Sequence, residues 1–156
     1  MECYKNEIMG NDIEIKGGCF FKSKVTIGID TGVNTGLAIY DPVLSVFLRV
    51  DSVKILEAMR VVLKWRGRIN RVVVEDARQV KFKTSRYKAQ GAGSVKRDCQ
   101  IWQDFLEENG IPYEMVRPNK KITKLDQSLF KRLSGWDGRT NEHSRDAAML
   151  VLNSKA

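Results

Sequence analysis

Residues 25–36 read VTIGIDTGVNTG, an apolar run that stops at Asp30 and resumes after Gly36. The run predicts a buried strand over 25–30, because its β-branched residues are followed by the turn formers Thr31 and Gly32. An aspartate before Thr-Gly is commonly a turn residue and no more. At the end of a buried strand it can also present a carboxylate at the edge of a sheet, and Asp30 is therefore the first candidate functional residue.

Further strands and helices are predicted on the C-terminal side of this stretch. The tight connections between the first three strands favour an antiparallel meander, and the helix-linked strands that follow favour parallel pairing. Ser52 and Thr123 are the expected N-caps of the first and third helices. The predicted strands cover 25–30, 36–40, 44–50, 69–75 and 111–116, and the predicted helices cover 52–65, about 94–109, a segment after Thr123 and a segment after Asn141.

The length and this element order predict one α/β domain. A chain of 156 residues can bury one core but not two. Residues 1–24 show no clear periodicity and are expected to form an N-terminal extension, and residues 25–156 form the domain. We expect a five-stranded mixed sheet, with three antiparallel strands and then parallel strands, flanked by helices.

The charge of the chain indicates a polyanionic partner. There are 27 Lys and Arg residues against 19 Asp and Glu, a formal net charge of +8. This excess favours nucleic acid, and the lack of a long apolar run argues against a membrane. Three cysteines without CxxC spacing and without a signal-peptide run indicate a reducing intracellular setting and no zinc site.

Acidic residues and the only histidine of the chain stand at the ends of apolar segments. Asp30 and Glu75 each end a predicted strand, and His143 and Asp146 are three residues apart on the last predicted helix, so they share one face. If the two strands are neighbours, all four side chains can meet in one crevice. Carboxylate oxygens with one imidazole suit Mg²⁺ or Mn²⁺ better than zinc. Glu142 is a reserve candidate, should the helix be rotated.

Three motifs together resemble the RuvC-type Holliday junction resolvases of the RNase H-like superfamily. They are GIDTGVNTG at 28–36, the glutamate that closes VVVE at 72–75, and His-x-x-Asp-Ala at 143–147. The resemblance covers roughly residues 25–152. It implies the RNase H-like fold and metal-dependent hydrolysis of a phosphodiester at four-way DNA junctions, with a phage-type member as one possibility.

The resemblance also implies roles for individual residues. Asp30 would bridge two metal ions, and Glu75 and Asp146 would be carboxylate ligands. Many relatives have an aspartate where this chain has His143, which leaves that residue open between metal ligand and water-orienting base. Such resolvases act as homodimers on branched DNA, in the cytoplasm or nucleoid, and the helix at 94–109 with Trp102 is the expected dimer face.

Basic and aromatic residues after Glu75 and after the fifth strand are the expected DNA contacts. Phe82 resembles an aromatic that inserts at the junction crossover, and stacking on an unpaired base suits it or Tyr87. Lys121 and Lys124 resemble two lysines of the RuvC cleft, and Lys120 is an equal candidate. The full set is Arg78, Lys81, Phe82, Lys83, Arg86, Tyr87, Lys120, Lys121 and Lys124.

Other interpretations remain open at the level of sequence. The opening stretch also resembles the phosphate loop of actin-like kinases, although those need two such domains. A nuclease for RNA:DNA hybrids or other branched DNA, and a noncatalytic nucleic-acid-binding module, would share the basic surface. Each candidate also has a structural explanation: Glu75 as a strand-end acid, Asp146 as a helix N-terminal acid, His143 as a packing residue and the lysines as a solvated face.

Overall fold

A computed structural model describes residues 23–79, 86–119 and 124–154, with the backbone alone described at 86–92. Five strands and four α-helices follow one another in this part of the chain. The strands are β1 (Val25–Asp30), β2 (Asn34–Asp41), β3 (Val46–Lys54), β4 (Ile69–Glu75) and β5 (Tyr113–Val116). The helices are α1 (Ile55–Trp65), α2 (Arg86–Glu108), α3 (Gln127–Ser134) and α4 (Glu142–Asn153).

The strands form one sheet in the order β3-β2-β1-β4-β5. β1, β2 and β3 pair antiparallel, whereas β4 pairs parallel with both β1 and β5. The predicted mixed sheet is therefore confirmed. Because β1 is central and β4 lies beside it, the last residues of both strands reach the same edge.

Alternation along β1 divides the core into two layers. Ile27 and Ile29 are fully buried with α1 and α2, in a cluster that includes Val62 and Trp102. Gly28, which lies between them, faces α4, since successive side chains of a strand point to opposite faces. The second cluster contains Ala38, Phe130, Ala147 and Val151.

Two helices begin at residues other than those predicted. β3 continues through Ser52, which pairs with Gly36 of β2, and α1 begins three residues later without a side-chain cap. The prediction of Ser52 as an N-cap was wrong, because ladder pairing with β2 outweighs the cap preference. α3 begins at Gln127, and its N-cap is Asp126 instead of the predicted Thr123: the Asp126 carboxylate accepts a hydrogen bond of 2.8 Å from the Leu129 amide.

Helix α2 is also longer than predicted. It spans 23 residues and begins at Arg86, in the basic segment that the sequence suggested was a loop. The charges of this segment carry no helical pattern of apolar residues, so periodicity could not detect its first turns. Within the described ranges, no helix combines the length and apolar character needed to cross a bilayer.

Candidate functional site

Asp30 and Glu75 lie side by side at one edge of the sheet. The pairing of Ile29 with Val74 places the two carboxylates on adjacent strands at the carboxyl ends of β1 and β4. Asp30 is buried and Glu75 is half-buried. Both point toward the α4 layer, because Ile29 and Val74, which precede them, face the opposite layer with α1 and α2.

Two glycines let α4 lie directly against the sheet beside these acids. A Cβ atom at Gly36 would lie 2.0 Å from the carbonyl oxygen of His143, and one at Gly28 would lie 2.0 Å from that of Ala147. Only glycine allows such a close approach of two backbones. Gly36, a glycine of the suspected phosphate loop, therefore serves helix packing, which weakens the actin-like interpretation.

The start of α4 is fixed by a reciprocal cap. The Asn141 side chain accepts from the Ser144 amide at 2.9 Å, and the Ser144 hydroxyl lies 3.0 Å from the Asn141 amide. The cap satisfies two otherwise unpaired backbone donors and sets the rotation of the first turn. It thereby directs His143 and Asp146 toward the two strand carboxylates.

His143 makes a direct contact with Asp30. Its Nδ1 atom lies 2.8 Å from Asp30 Oδ2. A carboxylate can only accept, so Nδ1 carries the proton when Asp30 is ionised, and Nε2 is left as the acceptor. The imidazole is about half exposed, with a side-chain accessibility of 48% against 9% for Asp30. One ring nitrogen is thus anchored, and the other is available to a ligand or to water.

Crowding of acids changes the protonation of Glu75. Burial, the negative charge of Asp30, a hydrogen bond with that carboxyl and the charge of Asp146 raise the pKa of Glu75 to about 7, with Lys124 acting in the opposite direction. The Glu75 carboxyl therefore keeps its proton up to near neutral pH. Such a cluster has an excess of negative charge that a cation would relieve.

Lys124 supplies one such cation. Its Nζ atom contacts Asp146 Oδ2 and Glu142 Oε1. Burial opposes the charged ammonium, but the bonds to both acids outweigh it and raise the pKa of Lys124. Burial raises the pKa of Asp146 despite the opposing effect of Lys124, whereas the bond to Lys124 lowers that of Glu142.

The donor set fits a divalent metal ion. Asp146 Oδ1 is buried and has no hydrogen-bond partner, which leaves an acceptor available at the centre of the cluster. Among the described residues, no three His, Cys, Asp or Glu side chains are spaced as ready-made ligands. His143 and Lys124 each take up one carboxylate oxygen instead. With three carboxylates and one imidazole, the chemistry matches Mg²⁺ or Mn²⁺.

Arg78 joins the end of β4 to α2. Its Nε donates to Asp76 Oδ1 at 2.7 Å, and its two terminal nitrogens donate to Gln100 at 2.6 Å and Gln103 at 2.7 Å. Burial raises the pKa of Asp76, but the hydrogen bonds that Arg78 and Gln79 donate to this carboxylate outweigh burial and lower it. The side chain of Arg78 thus makes four hydrogen bonds within the protein, and its contact with DNA stays a prediction.

A second connection lies next to the same strand end. The Cys99 sulfur, buried in α2, lies 3.3 Å from the Thr31 hydroxyl and 3.6 Å from the carbonyl oxygen of Glu75. Burial raises the pKa of the Cys99 thiol. Together with Arg78, it holds the backbone around Glu75 against α2.

The structure places the other predicted residues as follows. Trp102 is fully buried in the core, so it does not contribute to the expected dimer face. Lys124 lies in the acid cluster. The side chains of Lys81, Phe82, Lys83, Arg86, Tyr87, Lys120 and Lys121, and the proposed cap Thr123, fall outside the described residues.

Three residues of the site were missed by the sequence interpretation. Asp76 directly follows Glu75, and a pair of adjacent acids at a strand end could have indicated it. Gly28 and Gly36 stand inside predicted strands, where an isolated glycine signals close backbone approach. The pairing of Lys124 with Asp146 has no such signal, because 21 residues and a helix separate the two.

Comparisons with known proteins agree with this architecture. No family model matches the chain, and no curated protein matches it significantly. Solved structures do match it, and two of them are structures of RuvC. "T. thermophilus RuvC in complex with Holliday junction substrate" is 19% identical, with a TM-score of 0.57 over 83% of this chain and 90% of that one. "Thermus thermophilus RuvC structure" is 17% identical, with a TM-score of 0.53 over 82% of this chain and 91% of that one. The chain has a RuvC-like fold.

Proposed function

We propose that this protein is a metal-dependent endodeoxyribonuclease that resolves four-way DNA junctions by paired, symmetric phosphodiester hydrolysis. The observation that carries the proposal is the meeting of Asp30, Glu75, His143 and Asp146 at one edge of a RuvC-like sheet. Several carboxylates gathered at this sheet edge repel one another, so the fold itself gains no stability from them. Perturbed acids gathered at one place are typical of functional sites.

The metal ions would be held by Asp30, Glu75 and Asp146, with Asp30 as the ligand that both ions share. Mg²⁺ or Mn²⁺ ions, about two per site, supply Lewis acidity for attack of water on a phosphodiester. Asp30 is already flanked by the carboxyl of Glu75 and by the imidazole, so it is the most central of the three acids. This position supports its assignment as the shared ligand.

His143 would either complete the ligand set or accept a proton from the attacking water. Asp30 holds Nδ1, so both roles fall to Nε2. General-base work requires a group that changes protonation near neutral pH and is within reach of water. The half-exposed imidazole meets the second requirement, and its anchor on Asp30 keeps the ring oriented.

The substrate assignment rests on charge and on the resemblance. A net charge of +8 favours a polyanion and gives non-specific phosphate attraction. A structural neighbour of this chain is RuvC in complex with a Holliday junction substrate. The predicted basic and aromatic contacts would bind the DNA of the junction, and the reaction would take place in the cytoplasm or nucleoid.

Two symmetric cuts require two active sites, so we propose a homodimer. Trp102 belongs to the monomer core and cannot contribute. Its neighbour Ile101 is 40% exposed on the outer side of α2. An apolar side chain exposed there leaves α2 as the candidate dimer face.

A substrate panel tests the proposal. The full chain is incubated with labelled four-way junction, duplex DNA and RNA:DNA hybrid in Mg²⁺ or Mn²⁺. We expect symmetric nicks near the junction centre that leave a 5′ phosphate and a 3′ hydroxyl. Asp30→Asn should abolish them, and Asp137→Asn, which changes an exposed acid outside the site, should leave them unchanged.

The other outcomes separate the alternatives. Cutting of the hybrid alone would favour an RNase H-like activity on RNA:DNA. Junction binding without cleavage in either metal would favour a noncatalytic module. Normal cleavage by Asp30→Asn would overturn the assignment of the site.

A further inference from the structure

Lys124 connects the most buried acid of the site to an exposed one. Its Nζ atom contacts Asp146, whose side chain is 3% exposed, and Glu142, whose side chain is 62% exposed. Glu142 and Asp146 are one helical turn apart on α4, so they lie on the same face. The ammonium can therefore leave one carboxylate and remain bonded to the other with a small rotation of its stem.

The buried end of this bridge lies where a metal ligand is proposed. Asp146 Oδ2 is taken up by the ammonium, and Oδ1 has no hydrogen-bond partner. A divalent ion on this carboxylate would lie within a few ångströms of a positively charged group, and like charges at that distance repel strongly. The ion and the ammonium therefore compete for Asp146.

We propose that Lys124 is the resident counter-ion of the metal-free site, and that it moves from Asp146 to Glu142 when a divalent ion binds. This proposal rests on the proposed function, because it needs a metal at the acid cluster. Without the ion, Lys124 prevents a buried, unpaired charge on Asp146. With the ion, Glu142 holds the lysine at the rim of the site. Glu142 is then a positioning residue for Lys124 and binds no metal itself.

The two residues should have opposite effects on metal affinity. Lys124→Met removes the competitor and should tighten Mn²⁺ binding roughly tenfold. Glu142→Gln removes the negative charge of the alternative partner, so Lys124 favours Asp146 and Mn²⁺ binding should weaken about threefold. If Glu142 acts through Lys124, the double variant should bind as Lys124→Met does, because coupled residues are not additive.

Mn²⁺ titration of the full chain, followed by the electron paramagnetic resonance signal of the free ion, tests the proposal. The panel contains the parent, both single variants, the double variant and Lys131→Met, which removes a lysine from an exposed pair with Asp137. The control should bind as the parent does. Circular dichroism checks folding, and Lys124→Gln replaces Lys124→Met if the latter fails to fold.

The outcomes separate this inference from the function on which it rests. Parent binding that Asp30→Asn weakens, with Lys124→Met binding no tighter than the parent, overturns the exchange of Lys124 but leaves the metal site intact. A Glu142→Gln effect that persists in the double variant overturns the positioning role of Glu142. Absence of site-dependent Mn²⁺ binding in the parent overturns the proposed metal site itself, and the exchange with it.

Discussion

Replacement of Glu75 by glutamine should stabilise the metal-free protein at alkaline pH. Below its ordinary pKa of 4.5, the Glu75 carboxyl is protonated in both the folded and the unfolded chain. As the pH rises toward about 7, the folded form keeps the proton while the unfolded form has lost it, so the free energy of unfolding falls. Above about 7 the destabilisation is complete, and an amide avoids it.

The structure gives the size of this effect. Each pH unit by which a carboxyl pKa moves corresponds to ~1.4 kcal/mol. The rise from 4.5 to about 7 sets an upper value of ~3 kcal/mol, and screening at a half-buried side chain reduces it to ~2 kcal/mol. Glu75→Gln should therefore gain ~2 kcal/mol at pH 8 and little at pH 4.

Urea unfolding in EDTA between pH 4 and pH 8.5 measures this difference, with Glu108→Gln, an exposed acid at the end of α2, as the matched control. The control should follow the parent across the range. Mg²⁺ should then stabilise the parent more than Glu75→Gln, since the variant lacks a ligand. A variant that at pH 8 in EDTA is no more stable than the parent would refute the assignment of Glu75 to a crowded acid cluster.

Three further predictions follow from the geometry. Gly36→Ala should lower the free energy of unfolding in urea by ~3 kcal/mol, because the new Cβ would overlap the His143 carbonyl. Gly67→Ala, which places its Cβ in open space, should lower it little, and equal losses would contradict the close approach of α4. Arg78→Met should lower the free energy of unfolding by ~2 kcal/mol, because the buried Asp76 carboxylate loses its ion pair and keeps only the donors of the backbone amide at 78 and of Gln79. Unchanged stability with weaker junction binding would instead make Arg78 a DNA contact. EDTA should abolish junction cleavage, and added Mn²⁺ should restore cleavage by the parent but not by Asp146→Asn. Cleavage that persists in EDTA would exclude a metal-dependent reaction.

The candidate site could be read from the sequence because two simple periodicities place its residues. Alternation along β1 puts Asp30 on one face of a strand, and a spacing of three puts His143 and Asp146 on one face of a helix. The RNase H-like sheet that the resemblance implies has the first and fourth strands as neighbours, and the observed strand order agrees with it. Local patterns of this kind depend on only a few residues each.

The errors have equally local causes. Ser52 has the preference of a helix cap, but its backbone is paired with β2, and hydrogen bonds to a neighbouring strand cannot be read from the segment itself. The first turns of α2 carry charges without apolar spacing, so their helical conformation was not predicted. Trp102 lies on the helix that the sequence suggested as a dimer face, and its full burial in the monomer core shows that it is a packing residue.

The sequence by itself determined the strands, the mixed sheet and the four residues of the cluster, because hydrophobic periodicity and turn chemistry act over a few neighbouring positions. Only the tertiary structure decided how those residues are charged and paired. The raised pKa of Glu75, the anchor of His143 and the bridge of Lys124 between Glu142 and Asp146 depend on burial and on distances between distant segments. Electrostatic free energies change steeply with both quantities, and neither is fixed until β1, β4 and α4 pack together.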